Sequence, residues 1–118
     1  MVLLLSLLAC QTPASTPGEL PRTGEVLETI NGQPFTQGTV DAVLTAMPPE
    51  AREQLEANNQ MDQLTDQLIT QEVLYQEALN RSLHTDATVK TQIALAEREA
   101  LVAALLTTWP KRPRRTRR

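Results

Sequence analysis

From Ala100 to Leu106 the chain reads ALVAALL, seven apolar residues without a break. At 3.6 residues per turn, seven successive helical positions reach every side of the cylinder. A helix on a protein surface keeps one polar side for water. This one has none over those two turns, so neighbours must cover it or apolar surface stays bare. The run ends a longer helical pattern. Asp86 is a good N-cap, and the spacing predicts a helix from there to about Thr108. Val89, Ile93, Ala96, Ala100 and Ala103 form one row, and Leu95, Leu101, Val102, Leu105, Leu106 and Trp109 form another.

Three further helices precede it. Thr36 can cap a helix from Gln37 to about Met47, in which Val40, Val43, Leu44 and Met47 recur at helix spacing. Pro48-Pro49 stops it, and Pro49 suits the first turn of a short second helix ending by Asn58-Asn59. The third runs from about Gln60 to Arg81, capped by Asn59 with Asp62 as a weak capping-box partner. Its stripe of Met61, Leu64, Leu68, Tyr75, Ala78 and Leu79 is widened by Ile69, Val73 and Leu74, so it buries two sides. Ahead of all four, residues 25–31 read as one short strand ending at Asn31-Gly32, with a turn through Gly32-Gln33-Pro34 and Phe35 as an anchor. The two long helices can pair as an αα-hairpin across Ser82–Thr85, with an exposed apolar patch remaining.

Length and composition bound the rest. The 118 residues allow one small domain, and a single Phe, Tyr and Trp is a thin supply for a β-sandwich core. One Cys and one His exclude a disulfide framework and a Cys/His zinc site within the chain. Six of the 11 basic residues lie in residues 111–118, KRPRRTRR, which leaves five against 14 acids over residues 1–110, a net of −9. An acidic body with a short basic tail is not the footprint of a nucleic-acid-binding domain.

Residues 2–9, VLLLSLLA, are too short to cross a bilayer and fit the apolar region of an export signal, although no Lys or Arg precedes them. Leu7-Leu8-Ala9-Cys10 resembles the bacterial lipobox, which implies cleavage after Ala9 and lipid on Cys10. Gln11 in second place resembles outer-membrane sorting. Residues 11–24, with three Pro, two Gly and three Thr, read as a flexible tether.

Little in the chain carries chemistry. Asp62 and Asp66 can share a helix face, but the solvated side of an amphipathic helix accounts for them. Glu72 and Glu77, five apart, do not share one. His84 reads as a loop or capping residue, and Tyr75 as core with its hydroxyl at the edge. Trp109 is either a core plug or part of a binding surface. No Gly-rich phosphate loop or metal spacing is present in the sequence.

Three local patterns resemble one family. Val26 precedes Asn31-Gly32-Gln33-Pro34-Phe35-Thr36; Leu68–Ala78 reads LITQEVLYQEA; and Leu83, Asp86 and Val89 enter the last helix. In this order, over residues 25–106, they resemble the N-terminal domain of SurA-like, parvulin-type (PpiC-type) peptidyl-prolyl isomerases. The resemblance implies an all-α, trigger-factor-like peptide-binding module with one short N-terminal strand and disordered termini. It implies a periplasmic chaperone role on unfolded or outer-membrane-bound polypeptides. In the family a catalytic parvulin domain follows and a late helix returns to complete the module. Neither has positions here, so no catalytic residue carries over and isomerase activity is not expected. The abrupt tail WPKRPRRTRR suggests a truncated or frameshifted member. A patch for anionic lipid is the alternative reading of the tail.

The organisation expected is therefore a lipoprotein signal over 1–10, a tether over 11–24, a helical domain over 25–109 and a disordered basic tail over 110–118. Client contacts are expected at Phe35, Val43, Leu44, Met47, Leu101, Leu105 and Trp109, with Met47 and Met61 as adaptable side chains. No cofactor, metal or nucleic acid is expected. The expected site of action is the bacterial envelope, lipid-anchored through Cys10 and facing the periplasm, with the outer membrane favoured. A helical subunit that oligomerises through Ala100–Leu106 is the alternative.

Overall fold

The computed structural model describes residues 15–110. Among these residues the fold is mainly α: four helices and one short two-stranded sheet. Strands β1 (Val26–Ile30) and β2 (Gln33–Thr36) are followed by α1 (Gln37–Ala46), α2 (Pro49–Ala57), α3 (Met61–Asn80), a single 3-10 turn at Leu83–Thr85 and α4 (Ala87–Thr108). The expected export signal and the basic tail at 111–118 lie outside the described residues.

The single expected strand is a hairpin. Asn31 and Gly32 both take positive φ, 50° and 78°. Two such residues make a tight turn whose twist matches antiparallel strands. Pairing therefore resumes at once, with Ile30 opposite Gln33 and Glu28 opposite Phe35, and a bulge between Val26 and Glu28. Pro34, expected in the turn, sits in β2, where a two-stranded sheet tolerates its missing N–H.

The core lies where the hairpin meets α1 and α3. Ile30, Phe35, Val40, Leu64 and Leu68 are buried, and Val43, Leu44, Met47, Leu55 and Ile69 pack around them. Five buried apolar side chains make a small core, so stapling by polar contacts matters more than usual.

Two caps differ from expectation. Asn59 does not cap α3. It takes φ 53° and closes α2 instead: the Gln60 N–H donates to Leu55 O at 2.9 Å and the Asn59 N–H to Glu56 O at 3.2 Å. This pair is a Schellman closure, and Asn tolerates the left-handed conformation it requires. Thr36 makes no side-chain cap on α1. Its hydroxyl lies 3.5 Å from that of Thr39.

The cap of α1 comes from the segment before the hairpin. Gln37 N–H donates to Glu25 O and Gly38 N–H to Thr23 O, both at 2.8 Å. Thr39 Oγ1 donates to Pro21 O at 2.7 Å. Residues 15–24 were expected to belong to a flexible tether. They form a strap docked across the core, because their carbonyls satisfy helix-terminal N–H groups that otherwise lack partners.

Asp86 caps α4 as expected, its Oδ1 accepting from Thr88 N at 3.0 Å and Val89 N at 3.1 Å. The αα-hairpin does not form. The two long helices meet chiefly through the 3-10 turn between them. No residue of α4 is buried, and Leu74 on α3 is 66% exposed. The chain extends 82 × 47 × 31 Å, with a radius of gyration of 21.1 Å. A compact domain of about this size has one near 13 Å. A 22-residue helix with little tertiary support is marginal in water, and its cap is then a large share of its stability. Asp86→Ala is expected to cost about 1 kcal/mol and to lower helical ellipticity at 25 °C, as far-UV circular dichroism will read. Unchanged ellipticity would mean that α4 is held by something other than its own cap.

Candidate functional site

Two surfaces are built from side chains that a core would normally absorb. The first is α4. Leu95, Leu101, Val102, Leu105, Leu106 and Trp109 are each between 53% and 72% exposed. At about 100° per residue they fall on one side of the helix, with Arg98 among them. Ala100, Ala103, Ala104 and Thr107 lie on the other, also exposed. The unbroken apolar run thus divides into a large-residue face and a small-residue face. Helical spacing in the sequence already puts the large residues in one row and Ala100 and Ala103 in another; the structure leaves both rows exposed.

The second surface is the strap over α3. Tyr75 Oη donates to Pro17 O at 2.6 Å. Burial pushes the Tyr75 hydroxyl above its ordinary pKa of 10.0, with Glu19 and Glu72 adding to the rise and Arg22 opposing it. Arg22 bridges strap, hairpin and helix, donating to Pro34 O and to Glu72 Oε1, both at 3.2 Å. Gln76 Nε2 donates to the same Glu72 oxygen at 2.9 Å and its Oε1 accepts from Asn31 Nδ2 at 3.2 Å. Between strap and α3 lies an open groove of about 450 Å³, lined by Leu20, Phe35, Leu68, Leu74 and Tyr75 among others. None of this network was legible as a site. Apart from Glu72 and Gln76, four apart on α3, its partners lie 12 to 58 residues apart in sequence.

The residues expected to meet a client divide accordingly. Phe35 is 2% exposed and belongs to the core, so it is corrected from a contact residue to a packing residue. Its place in β2 turns the side chain inward between the hairpin and α1. Val43, Leu44 and Met47 are half-buried against that core. Leu101, Leu105 and Trp109 lie open on α4, away from the other four. The expected client surface is therefore not one patch, and its open part is α4. Cys10 lies outside the described residues.

Asp62 and Asp66 are exposed on α3. His84 sits in the 3-10 turn, half-buried, and makes no capping bond; its Nδ1 is buried without a partner. Among the described residues no group of three or more His, Cys, Asp or Glu side chains is placed to hold a metal ion, and no helix is long and apolar enough to cross a membrane. What the surfaces offer is apolar contact. No protein-family model, curated protein or solved structure matches the chain.

Proposed function

We propose that this protein is an envelope chaperone module that holds unfolded polypeptides on α4, related to the non-catalytic domain of parvulin-type isomerases and tethered through lipid on Cys10 to the outer membrane, facing the periplasm. The observation that supports it is the large-residue face of α4, six apolar side chains each more than half exposed. Monomeric soluble proteins rarely leave such a contiguous patch bare unless it binds something. Holding an unfolded chain needs apolar area and no catalytic group. The acidic body adds a modest bias against acidic clients.

The test is aggregation of thermally unfolding citrate synthase, followed by light scattering. The full chain is expected to suppress it, and Leu101→Glu with Leu105→Glu to abolish suppression while helical content is kept. Equal suppression by both proteins would sink the proposal.

One observation favours a second reading. The reverse face of α4, with Ala100, Ala103 and Ala104, is exposed as well, and a client on one side leaves it wet. A helical subunit that packs α4 among copies of itself would cover both faces. Its mark is a mass by multi-angle light scattering that rises with concentration; a constant monomer mass would exclude it.

A further inference from the structure

The bare face of α4 and the basic residues that follow it form one continuous feature in sequence. Trp109 ends the row of large apolar side chains, and Lys111, Arg112, Arg114, Arg115, Arg117 and Arg118 come directly after. Over residues 1–110 the chain carries a net of −9. The molecule is thus electrically lopsided: an acidic head, a helix with an apolar side, and a cationic end. A helix of that kind lies in a membrane interface, with Leu and Trp against the acyl boundary and cations against anionic headgroups. Tryptophan favours that depth because its ring is apolar and its N–H stays wet. Arg98, on the large-residue side, has a stem long enough to reach headgroups while its methylenes rest on apolar neighbours.

We infer that the large-residue face of α4, from Leu95 to Trp109, docks on an anionic lipid bilayer surface and that the basic residues after Trp109 select the anionic headgroups. The opposing charge of head and tail sets the orientation. An anionic surface draws the end of α4 and repels the head, so α4 is presented first. Client and lipid then use the same face in turn, with lipid as the resting cover. The strap adds a second argument, which rests on the lipid proposed for Cys10. The described chain starts at Ser15, which with Pro17 borders Ile93 and Ala94 of α4. Five residue steps separate Cys10 from Ser15, a reach of at most about 18 Å. Lipid on Cys10 would keep the start of α4, around Ile93, close to a bilayer.

Trp109 is the only tryptophan, so its emission reports this face and nothing else. The experiment adds the full chain to vesicles of phosphatidylcholine, with or without phosphatidylglycerol. With phosphatidylglycerol, Trp109 emission is expected to move to shorter wavelength, to be quenched by brominated acyl chains, and to revert as salt is raised. Deleting residues 111–118 is expected to weaken binding to the anionic vesicles by at least about tenfold. Val102→Glu with Leu106→Glu is expected to abolish the shift on both kinds of vesicle, with helical content kept. Aqueous emission from Trp109 while the protein sediments with vesicles would overturn the inference, because residues 2–9 alone would then account for binding. An anionic preference unchanged by deletion of the tail would overturn it too. So would short-wavelength emission without lipid from a species of dimer mass, which would put a second copy on the face. No client is present, so failure here leaves the chaperone proposal standing, and failure of the aggregation test leaves this one.

Discussion

Phe35→Ala is expected to lower the stability of the head by about 3–5 kcal/mol. Phe35 is the only phenylalanine in the chain and, among the described residues, one of five buried apolar side chains, at 2% exposure. Removing its ring takes the largest member from a core that has no redundancy. The vacated space borders the groove under the strap, so collapse is limited on that side. A small domain commonly has 5–15 kcal/mol in total, so the variant is expected to lose a large share of the stability of the head. Urea unfolding read by Tyr75 fluorescence checks this, because Tyr75 reports the head and Trp109 reports α4. Helical signal from α4 is expected to change less than the head. A loss under about 1 kcal/mol would mean that the core lies elsewhere.

Gly38→Ala carries the second large effect, and its sign opposes the local rule. In a helix interior, Ala is better than Gly by about 1 kcal/mol. Gly38 is in the first turn of α1, where propensity alone predicts a gain. Here a Cβ would lie 2.5 Å from Thr23 O, a backbone atom that cannot swing away. The strap must lift, and the Gly38 N–H to Thr23 O bond is stretched or lost with it. Strain of this kind costs about 1–3 kcal/mol, which outweighs the gain. The expected result is a lower unfolding midpoint and faster hydrogen exchange at residues 37–39. A midpoint raised by the substitution would show that the strap does not hold α1.

The effect at Gly38 was hidden from the sequence. Thr36 carries a side chain suited to an N-cap, so the helix start is placed correctly, but the groups that do the capping lie 12 to 18 residues upstream. The Pro- and Gly-containing segment 15–24 has no apolar periodicity and so reads as tether. Its docking is made of backbone carbonyls, which every residue carries and no composition reveals. Asn59 was misplaced by a single role: it sits between two helices and can serve either end, and only its positive φ settles which. Leu101, Leu105 and Trp109 were legible as uncovered, because seven apolar residues in a row exceed what a small chain can bury. Phe35 was assigned to the same surface because apolar character does not say which side of a short strand faces the core.

Local order was within reach of the sequence alone. Helical spacing, Pro48-Pro49, Asp86 and Asn31-Gly32 act through neighbours a few residues away, and each marks a boundary close to where the chain turns. Tertiary structure alone decided three things: that the strap closes over the core, that the hairpin supplies Phe35 to it, and that α4 runs clear of α3 and not back along it. Those depend on φ angles at single residues and on hydrogen bonds between segments far apart in the chain. The same apolar pattern on α4 is compatible with a buried hairpin or a free-standing helix. Direction after the 3-10 turn chooses between them, and that direction is a property of the folded backbone.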